Sequence, residues 1–143
     1  MLAKLYRRQN ILLSLLVLIT GVALYSQFIF GDLTIAYSDW GYDTFHQYLP
    51  AYEFFSRNLQ AMDFSSYSFS YGMGTSVFTP LSWVADPFSM LPVIFGAAFG
   101  VDKIGGMLVY AHILKSLCAG LLCRYYLKQK GFSNPACLIS SYI

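Results

Sequence analysis

The stretch Ile11-Leu-Leu-Ser-Leu-Leu-Val-Leu-Ile-Thr-Gly-Val-Ala-Leu-Tyr-Ser-Gln-Phe-Ile-Phe30 contains twenty residues and no charged side chain. About 20 mainly apolar residues are needed for an α-helix to cross the hydrocarbon core of a bilayer. Lys4, Arg7 and Arg8 precede the stretch and resemble the basic n-region of a signal peptide. The apolar run is too long for a typical signal peptide, however, and no A-x-A cleavage site follows it. We therefore predict an uncleaved transmembrane helix at residues 11–30.

The composition also indicates a membrane protein. The chain of 143 residues is 57% hydrophobic and 11% charged, whereas about a quarter of the residues in soluble domains are charged. The net charge of +2, without a basic stripe carrying interleaved aromatics, predicts no nucleic-acid partner. Cys118, Cys123 and Cys137 lie in apolar helical stretches with spacings unlike zinc or haem sites, so we interpret them as packing residues.

A second apolar run, Ile104–Leu127, predicts another transmembrane helix. Its polar interruptions are His112, Lys115 and Arg124. Gly131 is expected to end this helix, and Ser133 or Asn134 to cap a third span at 135–143 with Pro135 in its first turn. Because that last run is too short to cross a membrane, we expect the chain to be the N-terminal part of a larger multi-span protein.

The region between the two spans is expected to lie outside the cell. Basic residues before the first span and after the second belong in the cytoplasm by the positive-inside rule, which puts the N-terminus there and makes 31–103 an extracytoplasmic loop. Within this loop, Leu81–Gly100 is apolar but contains Asp86, Pro87 and Pro92, and is therefore a poor continuous helix. We predict that 81–100 is interfacial or re-entrant rather than a span.

All seven acidic residues lie between Asp32 and Asp102. Residues 38–49 are predicted to form a short helix, with Ser38 as N-cap and Pro50 setting its end. Asp39 and Asp43 would then lie one turn apart on one face. Two like charges placed so closely repel each other, so holding them together needs a reason. A general base or a cation site would be such a reason. The alternative is a solvated acidic face at a helix N-terminus.

Other features allow both a functional and a structural interpretation. Aromatic residues around Asp43, such as Tyr48, suit a membrane-interface belt and also contact with sugar rings. Gly72 and Gly74 permit close approach to a phosphate, or simply form a turn. His112 and Lys115 share one face in the middle of a span, where ionisable groups are functional candidates. They could instead pack against a carboxylate from a helix outside this chain.

Four segments in order resemble the YfhO family of bacterial membrane proteins. They are Asp43-Thr-Phe-His-Gln-Tyr-Leu-Pro-Ala-Tyr52, Tyr71-Gly-Met-Gly-Thr75, Asp86-Pro-Phe-Ser-Met-Leu91 and Leu114-Lys115. Thr75 stands where the family often has Asn, and Asp86 where it often has Ser. The resemblance covers about residues 38–127.

This resemblance implies an all-α polytopic fold of the GT-C glycosyltransferase class, in the bacterial cell membrane. It implies sugar transfer from a polyprenyl-phosphate carrier to lipoteichoic acid or a related envelope polymer. Asp43, or Asp39 as second candidate, would be the catalytic acidic residue. Residues expected to contact substrate are His46, Gln47, Tyr48, Gly72, Gly74, His112 and Lys115. Asp39 and Asp43 could also hold a divalent metal such as Mg²⁺ through water.

A different class of function is also compatible with the sequence. A non-enzymatic transporter or flippase for lipid-linked sugars could use His112, Lys115 and the broken segment 81–100 to line a substrate path. A carboxylate facing the outer interface would favour transfer. Carboxylates that reach Lys115 near the bilayer midplane would favour transport.

Overall fold

The computed structural model of the chain describes residues 2–35, 43–70 and 73–142. The helices are α1 (Leu2–Leu24), α2 (Ser26–Ile29), α3 (Leu49–Ala61), α4 (Phe78–Val84), α5 (Met90–Phe99), α6 (Ile104–Gln129) and α7 (Asn134–Tyr142). A π-helical turn occupies Thr44–Tyr48, and a 3-10 turn occupies Val101–Lys103. Two short antiparallel strands, β1 (Tyr67–Ser68) and β2 (Thr75–Ser76), pair Tyr67 with Ser76. These elements confirm the all-α fold class.

The long helices α1 and α6 run antiparallel. Near the end of α6, Arg124 is 1% exposed and donates hydrogen bonds of 2.6 Å to Gln9 and to Asn10 near the start of α1. At the opposite end, a cluster joins α6 to the end of α1 and to α2: Val109, Ile113, Tyr25, Phe28 and Ile29. The segment 31–103 therefore leaves and re-enters this helix pair at the same end.

One helix within the described ranges, Val101–Gln129, is long and apolar enough to cross a membrane. The apolar part of α1, Arg8–Leu24, is shorter. The predicted first span, 11–30, is interrupted at Tyr25, where α1 ends and α2 follows. The backbone N–H of Tyr25 still donates to Gly21 at 2.9 Å, so helical bonding continues up to the interruption.

The predicted break in residues 81–100 is confirmed. Helix α4 ends at Val84 and α5 begins at Met90. Pro87 has no backbone N–H, and the Asp86 carboxylate accepts hydrogen bonds from the N–H groups of Phe88 at 3.0 Å and Ser89 at 3.2 Å. The carboxylate thus satisfies donors that would otherwise lack partners at the start of α5.

The prediction that Pro50 ends a helix was wrong. The helix containing Asp43 passes through the π-turn and continues in α3 to Ala61, with Pro50 in the first turn of α3. The N–H of Leu49 donates to the carbonyl of Thr44, five residues back. This wider turn displaces the carbonyl that a proline ring would otherwise strike, so the chain remains helical. The proposed N-cap, Ser38, lies outside the described residues.

The predicted boundary after α6 is confirmed at Gly131, whose φ is +82°. Only glycine adopts this left-handed conformation without a steric penalty. Helix α7 then begins at Asn134, and the carbonyl of Ser133 accepts the first helical bond from Cys137 at 3.0 Å. Pro135 lies in the first turn, as predicted.

Helices α3, α5 and α6 meet at Gly96. The Ser56 hydroxyl of α3 donates to the carbonyls of Tyr52 at 2.7 Å and of Val93 in α5 at 2.9 Å. A Cβ atom at Gly96 would lie 2.6 Å from Ile104 Cγ1 and 2.7 Å from Ser56 Oγ. The missing side chain therefore permits this contact between three helices.

Gly96→Ala is expected to destabilise the protein by about 1–3 kcal/mol, because Ile104 and Ser56 are buried and have little room to move. Gly106→Ala is the matched control, since a Cβ atom there meets nothing within 4 Å. Thermal unfolding of the intact protein in detergent measures both. Equal melting temperatures for the two variants would contradict the close packing at Gly96.

Candidate functional site

Asp43 lies immediately before the π-turn with its side chain exposed. Gln47 Nε2 donates a hydrogen bond of 2.7 Å to Asp43 Oδ1. The spacing of four residues places the amide beside the carboxylate along the helix. The carboxylate is therefore oriented by a neutral donor and remains accessible from outside the fold.

The other predicted residues near Asp43 differ in environment. His46 is exposed, with its ring 5.4 Å from that of Phe45. Tyr48 instead packs against the buried core cluster that contains Ala51 and Tyr52. His46 and Gln47 thus face outward near Asp43, whereas Tyr48 supports the helix.

Asp39 and Gly72 lie outside the described residues, so the predicted pair of aspartates and the full glycine loop have no structural account. Gly74 is described, with a φ of +101°. A Cβ atom there would lie 2.8 Å from the hydroxyl of Tyr67 and 3.0 Å from Phe69 Cδ1. The hairpin packing alone explains a glycine at this position.

A second group of predicted residues lies on α6. Lys115 is near the middle of the helix, and its Nζ is 3.7 Å from Asp86 Oδ1. The two side chains are 56% and 38% exposed. A carboxylate from within the chain, before α5, therefore accompanies Lys115. The distance is that of an ion pair, longer than a hydrogen bond.

The Asp86 carboxylate is held firmly on its other side. Besides the N–H groups of Phe88 and Ser89, the Ser89 hydroxyl donates to Asp86 Oδ2. Partial burial raises the pKa of Asp86, but the hydrogen bonds from Ser89 and Phe88 and the charge of Lys115 outweigh it, so the pKa is below its usual value. Asp86 is ionised at neutral pH.

Tyr52 connects α3 to this ion pair. Burial raises the pKa of the Tyr52 phenol, and the negative charge of Asp86 raises it further, so the phenol keeps its proton. A cavity of about 30 Å³ lies between Tyr52, Ser89, His112 and Lys115. Such a volume has room for a water molecule. The Lys115 cluster consists of Tyr52, Ser89, His112, Lys115 and Asp86.

Asp43 and the Lys115 cluster are connected through one continuous helix, which carries both Asp43 and Tyr52. Tyr52 follows Asp43 by nine residues, which corresponds to about 13 Å along the helix axis. A ligand that engages both Asp43 and Lys115 would extend along this helix.

Sequence reasoning missed the partners of Lys115 and Arg124 in α6. Asp86 directly precedes Pro87 at a helix start, and this position is a signal for a capping carboxylate. Arg124 interrupts an apolar run. Nothing in the sequence pattern links it to Gln9 and Asn10, more than a hundred residues away.

No three His, Cys, Asp or Glu side chains converge on a common point within residues 2–35, 43–70 and 73–142. The described residues thus present an oriented carboxylate at Asp43 and a balanced ion pair at Asp86 and Lys115.

Asp86→Asn should reduce thermal stability near neutral pH by less than about 1 kcal/mol, because the pair is partly exposed. The lowered pKa means that the ionised carboxylate stabilises the folded state above its usual pKa. This contribution disappears as the pH falls through the lowered value. The melting-temperature difference between the two proteins should therefore shrink from pH 7 towards pH 3, and a constant difference would refute the linkage.

Comparison with known proteins identifies the family. A model of the family described as bacterial membrane protein YfhO matches residues 10–143. Neither the curated proteins nor the solved structures include a match to the chain. The family match covers nearly all of the sequence and agrees with the apolar helix at Val101–Gln129. The chain is a membrane protein that belongs to the YfhO family.

Proposed function

We propose that the protein containing this chain transfers a sugar from a polyprenyl-phosphate carrier to a cell-envelope acceptor, lipoteichoic acid or a related glycopolymer, on the outer face of the membrane. The main support is the exposed Asp43 carboxylate, oriented by Gln47 on the helix that also carries Tyr52. That helix joins a candidate base to the Lys115 cluster.

In the proposed reaction, an acceptor hydroxyl oxygen attacks the anomeric carbon of the sugar. The bond between that carbon and the phosphate oxygen breaks, and polyprenyl phosphate leaves with the bonding electron pair. Asp43 accepts the proton of the hydroxyl. Gln47 holds the carboxylate in position by donating to Oδ1.

Lys115 is proposed to interact with the carrier phosphate, where negative charge increases as the bond breaks. Its partial exposure supports access by a ligand. The separation of about 13 Å along the helix between Asp43 and Tyr52 leaves space for a sugar between base and cation. Asp39 remains the second candidate for the base.

One observation favours the second candidate function, movement of a lipid-linked sugar by a non-enzymatic transporter. A carboxylate, that of Asp86, does reach Lys115 near the middle of the apolar helix α6. Paired charges at such positions line substrate paths in transporters. This function would require the Lys115 cluster and would tolerate loss of the Asp43 charge.

Asp43→Asn is expected to reduce sugar transfer at least about 100-fold, because the amide cannot accept the proton of the acceptor. The bond from Gln47 can be retained, since an asparagine oxygen also accepts. Incorporation of labelled sugar into envelope polymer by cells that express the intact protein provides the measurement.

Asp63→Asn is the matched control, because Asp63 is also exposed and interacts with a neighbouring side chain, Ser65. Its transfer should equal that of the natural protein. Normal expression of Asp43→Asn together with undiminished transfer would remove the enzymatic proposal. If Lys115→Gln then abolished movement of the lipid-linked sugar, the transporter would be favoured.

A further inference from the structure

Lys115 carries a positive charge that the fold partly offsets. Asp86 Oδ1 lies 3.7 Å from its ammonium nitrogen, so the carboxylate reduces the positive charge that a nearby ligand meets. An anion that binds Lys115 meets both charges at once. The attraction exerted by Lys115 is therefore opposed by repulsion from Asp86.

Asp86 has little freedom to turn away from an incoming anion. Its two oxygens accept from the N–H groups of Phe88 and Ser89 and from the Ser89 hydroxyl. Moving the carboxylate would leave the donors at the start of α5 without this acceptor. The negative charge therefore remains in place when a ligand arrives.

The ligand position follows from the available space. The cavity of about 30 Å³ has room for a water molecule and is too small for a phosphate group. A phosphate must therefore approach the exposed side of Lys115, where the Asp86 side chain is also partly exposed. His112 and Tyr52 line the inner side of the cluster.

We propose that Asp86 sets the charge specificity of this site, so that a singly charged lipid phosphodiester competes on nearly equal terms with a doubly charged lipid monophosphate. The inference rests on the proposed function for the identity of the ligand. A sugar-linked carrier phosphate is a phosphodiester with one charge, whereas the released carrier phosphate is a monoester. A phosphate monoester approaches two charges above its second pKa, near 6.

The consequence concerns product release. Repulsion from Asp86 increases with the charge of the ligand, so it penalises the monoester more than the diester. Without Asp86, Lys115 would retain the product more strongly than the substrate.

The test compares two probes on the intact protein in detergent at pH 8: farnesyl phosphate, a dianion, and its methyl ester, a monoanion. Farnesol is the uncharged reference. For each protein, isothermal titration gives the ratio of the dissociation constant of the ester to that of the phosphate. We expect a ratio within about threefold of unity for the natural protein.

Asp86→Asn should raise this ratio by about tenfold, equivalent to ~1.4 kcal/mol of preference for the dianion. Asparagine keeps an oxygen that accepts hydrogen bonds from the N–H groups of Phe88 and Ser89, so the start of α5 is preserved. Asp102→Asn is the matched control. Asp102 also forms an ion pair, with Lys103 at 3.1 Å, and this pair lies outside the Lys115 cluster. The ratio for Asp102→Asn should be unchanged. Lys115→Gln should weaken the binding of both charged probes.

The outcomes separate the inference from the proposed function. An unchanged ratio in Asp86→Asn overturns the inference, and sugar transfer by the natural protein would still support the function. A raised ratio without any transfer supports the inference for a lipid-phosphate site and counts against the transferase. If the natural protein binds neither charged probe better than farnesol, the inference is overturned.

Discussion

The close contact at Gly96 determines how the candidate site is assembled. Ile104 of α6 and Ser56 of α3 both occupy the space that a side chain at this position would take. The Ser56 hydroxyl also bonds to the carbonyl of Val93, which fixes α3 against α5. Since α3 extends from the helix that bears Asp43, and α6 bears Lys115, their relative position depends on this contact.

Asp43 and Lys115 have different electrostatic surroundings. Asp43 accepts a hydrogen bond from a neutral amide, that of Gln47. Lys115 is accompanied by a carboxylate, which neutralises it until a ligand changes the balance. A charge kept in the middle of an apolar helix costs less when its opposite is close.

The sequence predicted the features that depend on local chemistry. The apolar helix α6, its end at Gly131 and the break between α4 and α5 follow from hydropathy, from a glycine and from Asp86-Pro87. Contacts between distant segments were not predictable, because no periodic pattern encodes which side chains meet. Arg124 with Asn10, and Lys115 with Asp86, belong to this class. The error at Pro50 arose because a widened turn accommodates a proline that an α-helix would reject.

The π-turn also determines how Asp43 is paired. Between Thr44 and Leu49 the helix contains one residue more than an α-helical turn would use, and this turn accommodates it because the N–H of Leu49 bonds five residues back. Deletion of one residue between Asp43 and Gln47 would restore an α-helical turn and leave α3 in place. The separation of the two side chains along the chain would fall from four residues to three, so the amide would no longer lie where it now donates to Asp43 Oδ1.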